Sequence, residues 1–161
     1  MSHKILTIIT LILLSGIVLG ACQPAVDLSQ PPDIRFGEDI CDECNMIISE
    51  PRFAAAYFTF EGTARRFDDI GDMLAYNAKH NEDVAQFWVH DFKSEKSLIA
   101  KDAFFVVSED LHTPMGHGMV AFEFEDQAQS FASEVNGMVM TFPMVMQNYQ
   151  NGDSSHEHIE P

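Results

Sequence analysis

One order of elements occurs twice along this chain, and it narrows the available folds more than any other feature. Arg52 to Phe60 is an aromatic-rich stretch of strand character, Glu61-Gly62 marks a turn, and Thr63 to Phe67 answers as a hairpin partner. Asp68 or Asp69 can cap a helix to about Lys79, with Ile70, Met73, Leu74 and Asn77/Ala78 at helical spacing. Gln86 to Phe92 then returns as a strand. The same order follows in Ala103 to Ser108, Gly118 to Phe124, a helix from Asp126 to about Asn136, and a strand from Gly137 to Phe142. Phe67-Asp68-Asp69 and Phe124-Glu125-Asp126 mark the two strand-to-helix junctions, 57 residues apart. The expectation is an α+β fold: two ββαβ units packed as one compact domain over residues 38–148. Thirteen Phe support a core of that size.

The segment ahead of this domain has a different character. His3 and Lys4 give a positive start, Ile5 to Val18 is almost wholly apolar, and Leu19-Gly20-Ala21-Cys22 ends it with small residues before a cysteine. Residues 1–21 therefore read as a cleaved lipoprotein signal peptide, with Cys22 as the lipidation site. The apolar run is short for a membrane span, which needs ~20 residues. Gln23 follows the cysteine, which favours an outer-membrane anchor facing the periplasm over inner-membrane retention. Residues 22–37 carry three prolines and little periodicity, as expected of a tether. Residues 149–161 are polar and acidic, the composition of a disordered tail, although His156 and His158 lie two apart in it. The net charge of −16 becomes −17 once Lys4 leaves with the signal. Such a surface excludes nucleic acid and anionic lipid headgroups as partners and suits metal cations or a basic protein patch.

At the entrance to the domain stands Cys41-Asp42-Glu43-Cys44-Asn45-Met46. Thiolate and thioether sulfur are soft donors that select Cu(I) over Mg²⁺, Ca²⁺ or Mn²⁺. A zinc site more usually adds a second Cys or Cys/His pair at fixed spacing, which the chain lacks. A Cys-x-x-Cys pair can also close a disulfide and act as a thiol oxidoreductase. The hexapeptide alone leaves all three chemistries open.

Later in the chain, His112-Thr113-Pro114-Met115-Gly116-His117-Gly118-Met119 has the Gly and Pro of a loop, where Met115 and His117 can be presented to a metal. Met138, Met140, Met144 and Met146 alternate along an extended run interrupted by Pro143, a pattern better explained by core packing. His90 sits in an aromatic strand and His80 at a helix end, where a cation suits the dipole. Helix capping accounts for at least one of Asp68 and Asp69, and adjacent residues do not share a helix face. The sequence has no Ser/His/Asp grouping, phosphate-cradling Gly loop or convincing acid pair, so a non-enzymatic role is expected.

Taken in order, Cys22, Cys41-x-x-Cys44-x-Met46, Phe67-Asp68-Asp69-Ile70-Gly71 and Pro114-Met115-Gly116 resemble the NosL family, copper-binding lipoproteins that assist assembly of nitrous oxide reductase. The resemblance covers nearly the whole mature domain. It implies a periplasm-facing Cu(I) chaperone serving that reductase and its ABC-type maturation apparatus, on a fold of two ββαβ units. Carried over position by position, it implies Cys44, Met46 and Met115 as ligands, followed by His117, with Cys41 as ligand or bystander. One departure is Asn45, where the family commonly has Gly. Asn adopts left-handed backbone angles more readily than other non-glycine residues, so the turn is expected to survive.

Overall fold

The computed structural model describes residues 27–150; the signal segment, Cys22 and the His156/His158 stretch lie outside the described residues. Strands β1 (Ala55–Thr59), β2 (Ala64–Phe67) and β3 (Val84–His90), with helix α1 (Ile70–His80) between the last two, form the first unit. The second has β5 (Phe104–Val107), β6 (Met119–Phe122), α2 (Glu125–Glu134) and β7 (Met138–Thr141) in the same order. Each unit makes an antiparallel sheet with its first strand in the centre, giving β2-β1-β3-β4 and β6-β5-β7. The repeat expected from the sequence is thus a repeat of topology, two ββαβ units in one α+β domain.

Three details differ from expectation. Pro51–Phe53 forms a 3-10 turn, because Pro at a first helical position has its φ already set, so β1 begins only at Ala55. A short strand β4 (Ser97–Ile99) extends the first sheet beside β3. Helix α3 (Phe142–Gln150) occupies what the alternating methionines suggested was extended chain. Pro143 lies in its first turn, where a missing N–H costs nothing. Met144 and Met146 are therefore helical, and only Met138 and Met140 lie on β7. Of the four, Met140 is buried and Met146 packs against the core, whereas Met138 and Met144 are exposed. The helix also takes Tyr149 and Gln150 out of the expected tail.

Side-chain alternation divides the core. On β5 and β6, Phe105, Met119 and Ala121 face a large cluster shared with Tyr57, Phe67, Ile70, Met73, Leu74, Val89, Phe142 and Val145. Val106, Val120 and Phe122 face the other way, onto Ala128 and Ala132 of α2. The second sheet is therefore covered on both sides. Helix α1 buries Ile70, Gly71, Asp72, Met73, Leu74 and Tyr76, and it is the central helix of the molecule.

Asp91 joins the two units. Its backbone pairs with Ala121 in an isolated parallel bridge, and Phe92 donates its N–H to the Ala121 carbonyl at 2.8 Å. The buried carboxylate accepts N–H bonds from Ser94 (2.6 Å) and Lys93 (3.1 Å) on one oxygen and from Glu123 (2.9 Å) on the other. Burial acts to raise the Asp91 pKa, but the N–H bonds from Ser94, Glu123 and Lys93 outweigh it and hold the group below its ordinary value. A depressed carboxylate stabilises the fold above its unfolded pKa and loses that contribution as pH falls through its folded pKa. Asp91→Asn is expected to cost about 1–3 kcal/mol at neutral pH, a charge-assisted bond being replaced by weaker ones. Urea unfolding across pH should show the difference from the parent protein shrinking as acid neutralises Asp91.

Candidate metal centre

Residues 41–46 form a closed turn. Cys41 N–H donates to the Met46 carbonyl at 2.8 Å, Asn45 N–H donates to the Cys41 carbonyl at 3.1 Å, and Ile40 pairs with Ile47 across the base. Asn45 has φ 62°, the left-handed geometry expected of a residue standing in for glycine. The turn is fixed to the edge of the first sheet. Asp42 N–H donates to the Arg66 carbonyl at 2.9 Å, and Arg66 N–H donates to the Asp42 carboxylate at 2.7 Å.

That docking sets the two thiols against the start of α1. Cys41 is buried (1% exposed) and Cys44 half-buried, and both are free thiols. Cys41 Sγ donates to Asp72 Oδ2 at 3.3 Å, and Cys44 Sγ donates to Asp68 Oδ1 at 3.4 Å. Asp68 lies just ahead of the Asp69 cap and Asp72 in the first turn of α1, and the two carboxylates meet the two thiols there. The four donor atoms all lie within 4.8 Å of one another, and the group can hold a metal ion.

The neighbouring Asp69 works in a different direction. Its Oδ1 caps α1 by accepting from Gly71 N–H at 2.8 Å. Its Oδ2 accepts from the Thr113 hydroxyl at 2.5 Å and from Met115 N–H at 3.2 Å, which ties the long loop between β5 and β6 to the helix. His117 from that loop then reaches Asp72, with Nε2 3.0 Å from Oδ1, while its Nδ1 is 3.0 Å from the Tyr149 hydroxyl on α3. The approach requires Gly71: a Cβ there would fall 2.0 Å from the imidazole Cγ.

Burial is the main electrostatic fact at the thiols. It pushes Cys41 well above the ordinary thiol range and Cys44 up to about 11, so both are protonated at neutral pH. Burial likewise raises Asp68. At Asp72 burial also acts upward, but hydrogen bonds from His117, Cys44 and Cys41 outweigh it and the carboxylate lies below its usual value. Burial depresses His117, yet the Asp72 hydrogen bond and the Asp69, Asp72 and Asp68 charges raise it overall.

Of the five metal-site residues expected from the sequence, Cys41, Cys44 and His117 converge on Asp68 and Asp72. Met46, 54% exposed, follows Asn45 out of the turn, and Met115, 37% exposed, sits on the loop held by Asp69. Both thioethers are at the surface. Asp68 and Asp72 as partners of the thiols are absent from the sequence expectation, because Asp68 stands ahead of the helix cap and its position depends on the path of the chain into α1. Tyr149 carries no signal in the sequence, because it falls at the first residue of the expected tail. His80 stacks on Tyr76 at 4.0 Å and His90 Nδ1 lies 2.9 Å from the Ala54 carbonyl, so both have the structural roles expected.

Gly71→Ala should displace His117 and lower stability by about 1–3 kcal/mol, the usual cost of overpacking. In a His117→Gly background the same change should cost far less, because the ring and the Cβ that the new methyl would meet at 2.3 Å are both gone and alanine is the better helix former by up to ~1 kcal/mol. Denaturant unfolding of the four proteins measures that coupling.

No curated protein matches the chain at a significant level. The crystal structure of the copper chaperone NosL from Shewanella denitrificans shares the fold, with a TM-score of 0.63 at 20% identity, over 73% of this chain and 96% of that one. The NosL family model matches residues 36–150, from just before the cysteine turn to the end of α3. With the turn, the loop and both ββαβ units inside that match, the chain belongs to the NosL family.

Proposed function

We propose that this protein is a copper chaperone that holds Cu(I) at the Cys41–Met46 turn and delivers it for assembly of nitrous oxide reductase, in concert with the ABC-type maturation apparatus. The observation that carries this reading is the convergence of two reduced thiols on one pocket whose flanking segments expose thioethers. The similarity to a solved copper chaperone supports the choice of metal. Cys44, the more accessible thiol, binds with Met46 and Met115; His117 and Cys41 stand behind them. A mixed thiolate and thioether set holds Cu(I) firmly yet releases it more readily than a dithiolate. Anchoring through Cys22 keeps the domain at a bacterial membrane facing the periplasm, the outer membrane favoured, where an acidic surface meets copper and protein partners rather than nucleic acid.

The role is delivery, not catalysis. A thiol oxidoreductase needs a nucleophilic cysteine with a lowered pKa, usually beside a cation or a helix N-terminus. Cys44 stands against the start of α1, yet burial raises its pKa and its hydrogen-bond partner is a carboxylate.

Titration of the reduced protein against a Cu(I) probe ligand should show one tight equivalent, and failure to compete would end the copper reading. Cys44→Ser should lose at least about tenfold more affinity than Cys41→Ser, each tenfold step being ~1.4 kcal/mol, with Met115→Leu between them. Equal losses for the two serine variants would mean a dithiolate site instead. Labelled lipid should enter the parent protein and not Cys22→Ser; a Cys22→Ser protein that still partitions with membranes would contradict the anchor.

A further inference from the structure

Two residues of the first sheet are buried without belonging to either core. Ala56 and Trp88 are 1% and 6% exposed, and neither is in the clusters that the helices cover. The register gives the reason. Tyr57 and Val89 face the large cluster, so Ala56 and Trp88 face the opposite way, in one row with Arg66 on β2 and Ile99 on β4. His90 follows Trp88 by two on β3 and lies on the same outer face. The chain that meets this face is the one arriving ahead of the cysteine turn. Pro32 is buried, the Asp33 carbonyl accepts from Arg66 Nε at 2.5 Å, and the Phe36 ring stands edge-on to His90 with centroids 5.9 Å apart. Residues 32–36 have the composition of a tether, but they lie on the domain.

The same segment runs straight into the base of the turn. Gly37 N–H donates to the Ile48 carbonyl at 2.8 Å, and Ile48 N–H donates to the Asp39 carbonyl at 2.9 Å, just outside the Ile40–Ile47 pair. Arg35 reaches the Asp39 carboxylate with its backbone N–H at 2.9 Å and its guanidinium at 2.6 Å. We propose that residues 32–36 are a strap that closes over the Trp88 face of the first sheet and clamps the base of the cysteine turn, so that lifting the strap loosens the turn. A pull on the chain ahead of Pro32 is then transmitted to the thiols. The bearing of this device on copper rests on the chaperone reading above; the device itself does not.

The strap is poised rather than locked. Asp33, Arg35 and Phe36 are exposed, and Phe36 belongs to neither core cluster. Beneath it, Trp88 Nε1 is buried with no hydrogen-bond partner among the described residues, as is the hydroxyl of Ser97, which pairs with His90 across β3 and β4. A polar group shut away from water without a partner costs free energy, and lifting the cover returns water to it. Few buried contacts above and unsatisfied groups below place the strap at the low-stability end of the structure, where opening precedes global unfolding.

Three readouts on the reduced, metal-free protein test the device. Trp88 is the only tryptophan in the chain, so its fluorescence reports the cover. Trypsin cleavage after Arg35 reports the strap, and alkylation of the buried Cys41 by iodoacetamide, followed by peptide mass, reports the turn. In the parent protein, cleavage after Arg35 should be at least about tenfold slower than in a free peptide of residues 30–40, because it must wait for opening. Phe36→Ala, with circular dichroism confirming the fold, should speed Arg35 cleavage and Cys41 alkylation by about tenfold each. Its Trp88 emission should move to longer wavelength and become more open to acrylamide quenching. Phe60→Ala, which removes a ring 64% exposed at the hairpin tip, should move none of the three. Parent cleavage as fast as in the peptide would overturn the strap, a result that needs no variant to fold. So would a Phe36→Ala protein identical to the parent, or one cut faster with either Trp88 or Cys41 unchanged, since the strap would then fail to cover or to clamp. None of these measurements uses a metal, so a failed Cu(I) titration would end the copper reading and leave their outcome unaltered.

Discussion

The backbone exchange between Asp42 and Arg66 is the contact on which the site depends. The six-residue turn puts only Cys41 and part of Cys44 into the core, so its register needs a further contact. The outer edge of β2 supplies it, offering an N–H and a carbonyl that Asp42 takes with its carboxylate and its own N–H. An open strand edge is an aggregation hazard, and the turn covers part of it while gaining a fixed register. The contact is reinforced from the side. The Arg65 guanidinium lies 3.3 Å from Asp42 and 2.6 Å from Glu82, and its carbon is 5.2 Å from the centre of the Tyr76 ring. A slip of one residue along β2 would turn Asp42 away and take both sulfurs off α1.

With the turn fixed, the buried carboxylates are tolerable because each has a donor within reach. Asp68 takes the Cys44 thiol, Asp69 takes Gly71, Thr113 and Met115, and Asp72 takes Cys41 and His117. The N-terminal end of α1 favours negative charge nearby, which lowers the cost of placing three aspartates within five residues. Burial keeps the thiols protonated, and the carboxylates accept their S–H hydrogen bonds. Each of these buried carboxylates thus has a hydrogen-bond partner without a metal.

Most of the fold was legible because both units follow simple periodicity. The strand-to-helix junctions at Phe67 and Phe124, the Asp69 cap and the aromatic strands carried local signals that the tertiary structure respects, whereas the second helix begins at Glu125 without a side-chain cap. Helix α3 was not legible. Its methionines alternate by two, its Pro143 looked like a strand breaker, and only its packing through Val145 and Met146 makes it helical. The sulfur-bearing candidates stood out in the sequence by their chemistry, and the family resemblance ranked them. The carboxylates could not, because Asp68-Asp69 looked like a single capping feature, and the division of labour between them depends on where a turn 24 residues upstream happens to dock.

The topological repeat also shows why the site lies where it does. In the first unit residues 60–63 join the hairpin strands β1 and β2; in the second, the equivalent connection runs from 108 to 118. The short connection only turns the chain. The long one leaves its own sheet, crosses to α1 and delivers Thr113, Met115 and His117 to aspartates of the other unit. Two similar units would bury similar surfaces and have no reason to differ, so the asymmetry belongs to the pocket. It is paid for by Gly118, whose φ of +61° and missing Cβ let the returning chain pass the Ser108 carbonyl. The cysteine turn and α1 come from one unit, the histidine arm and α3 from the other, and Asp91 keeps the halves in register. The geometry around Asp72 therefore depends on the relative position of both units, because His117 reaches it from the second.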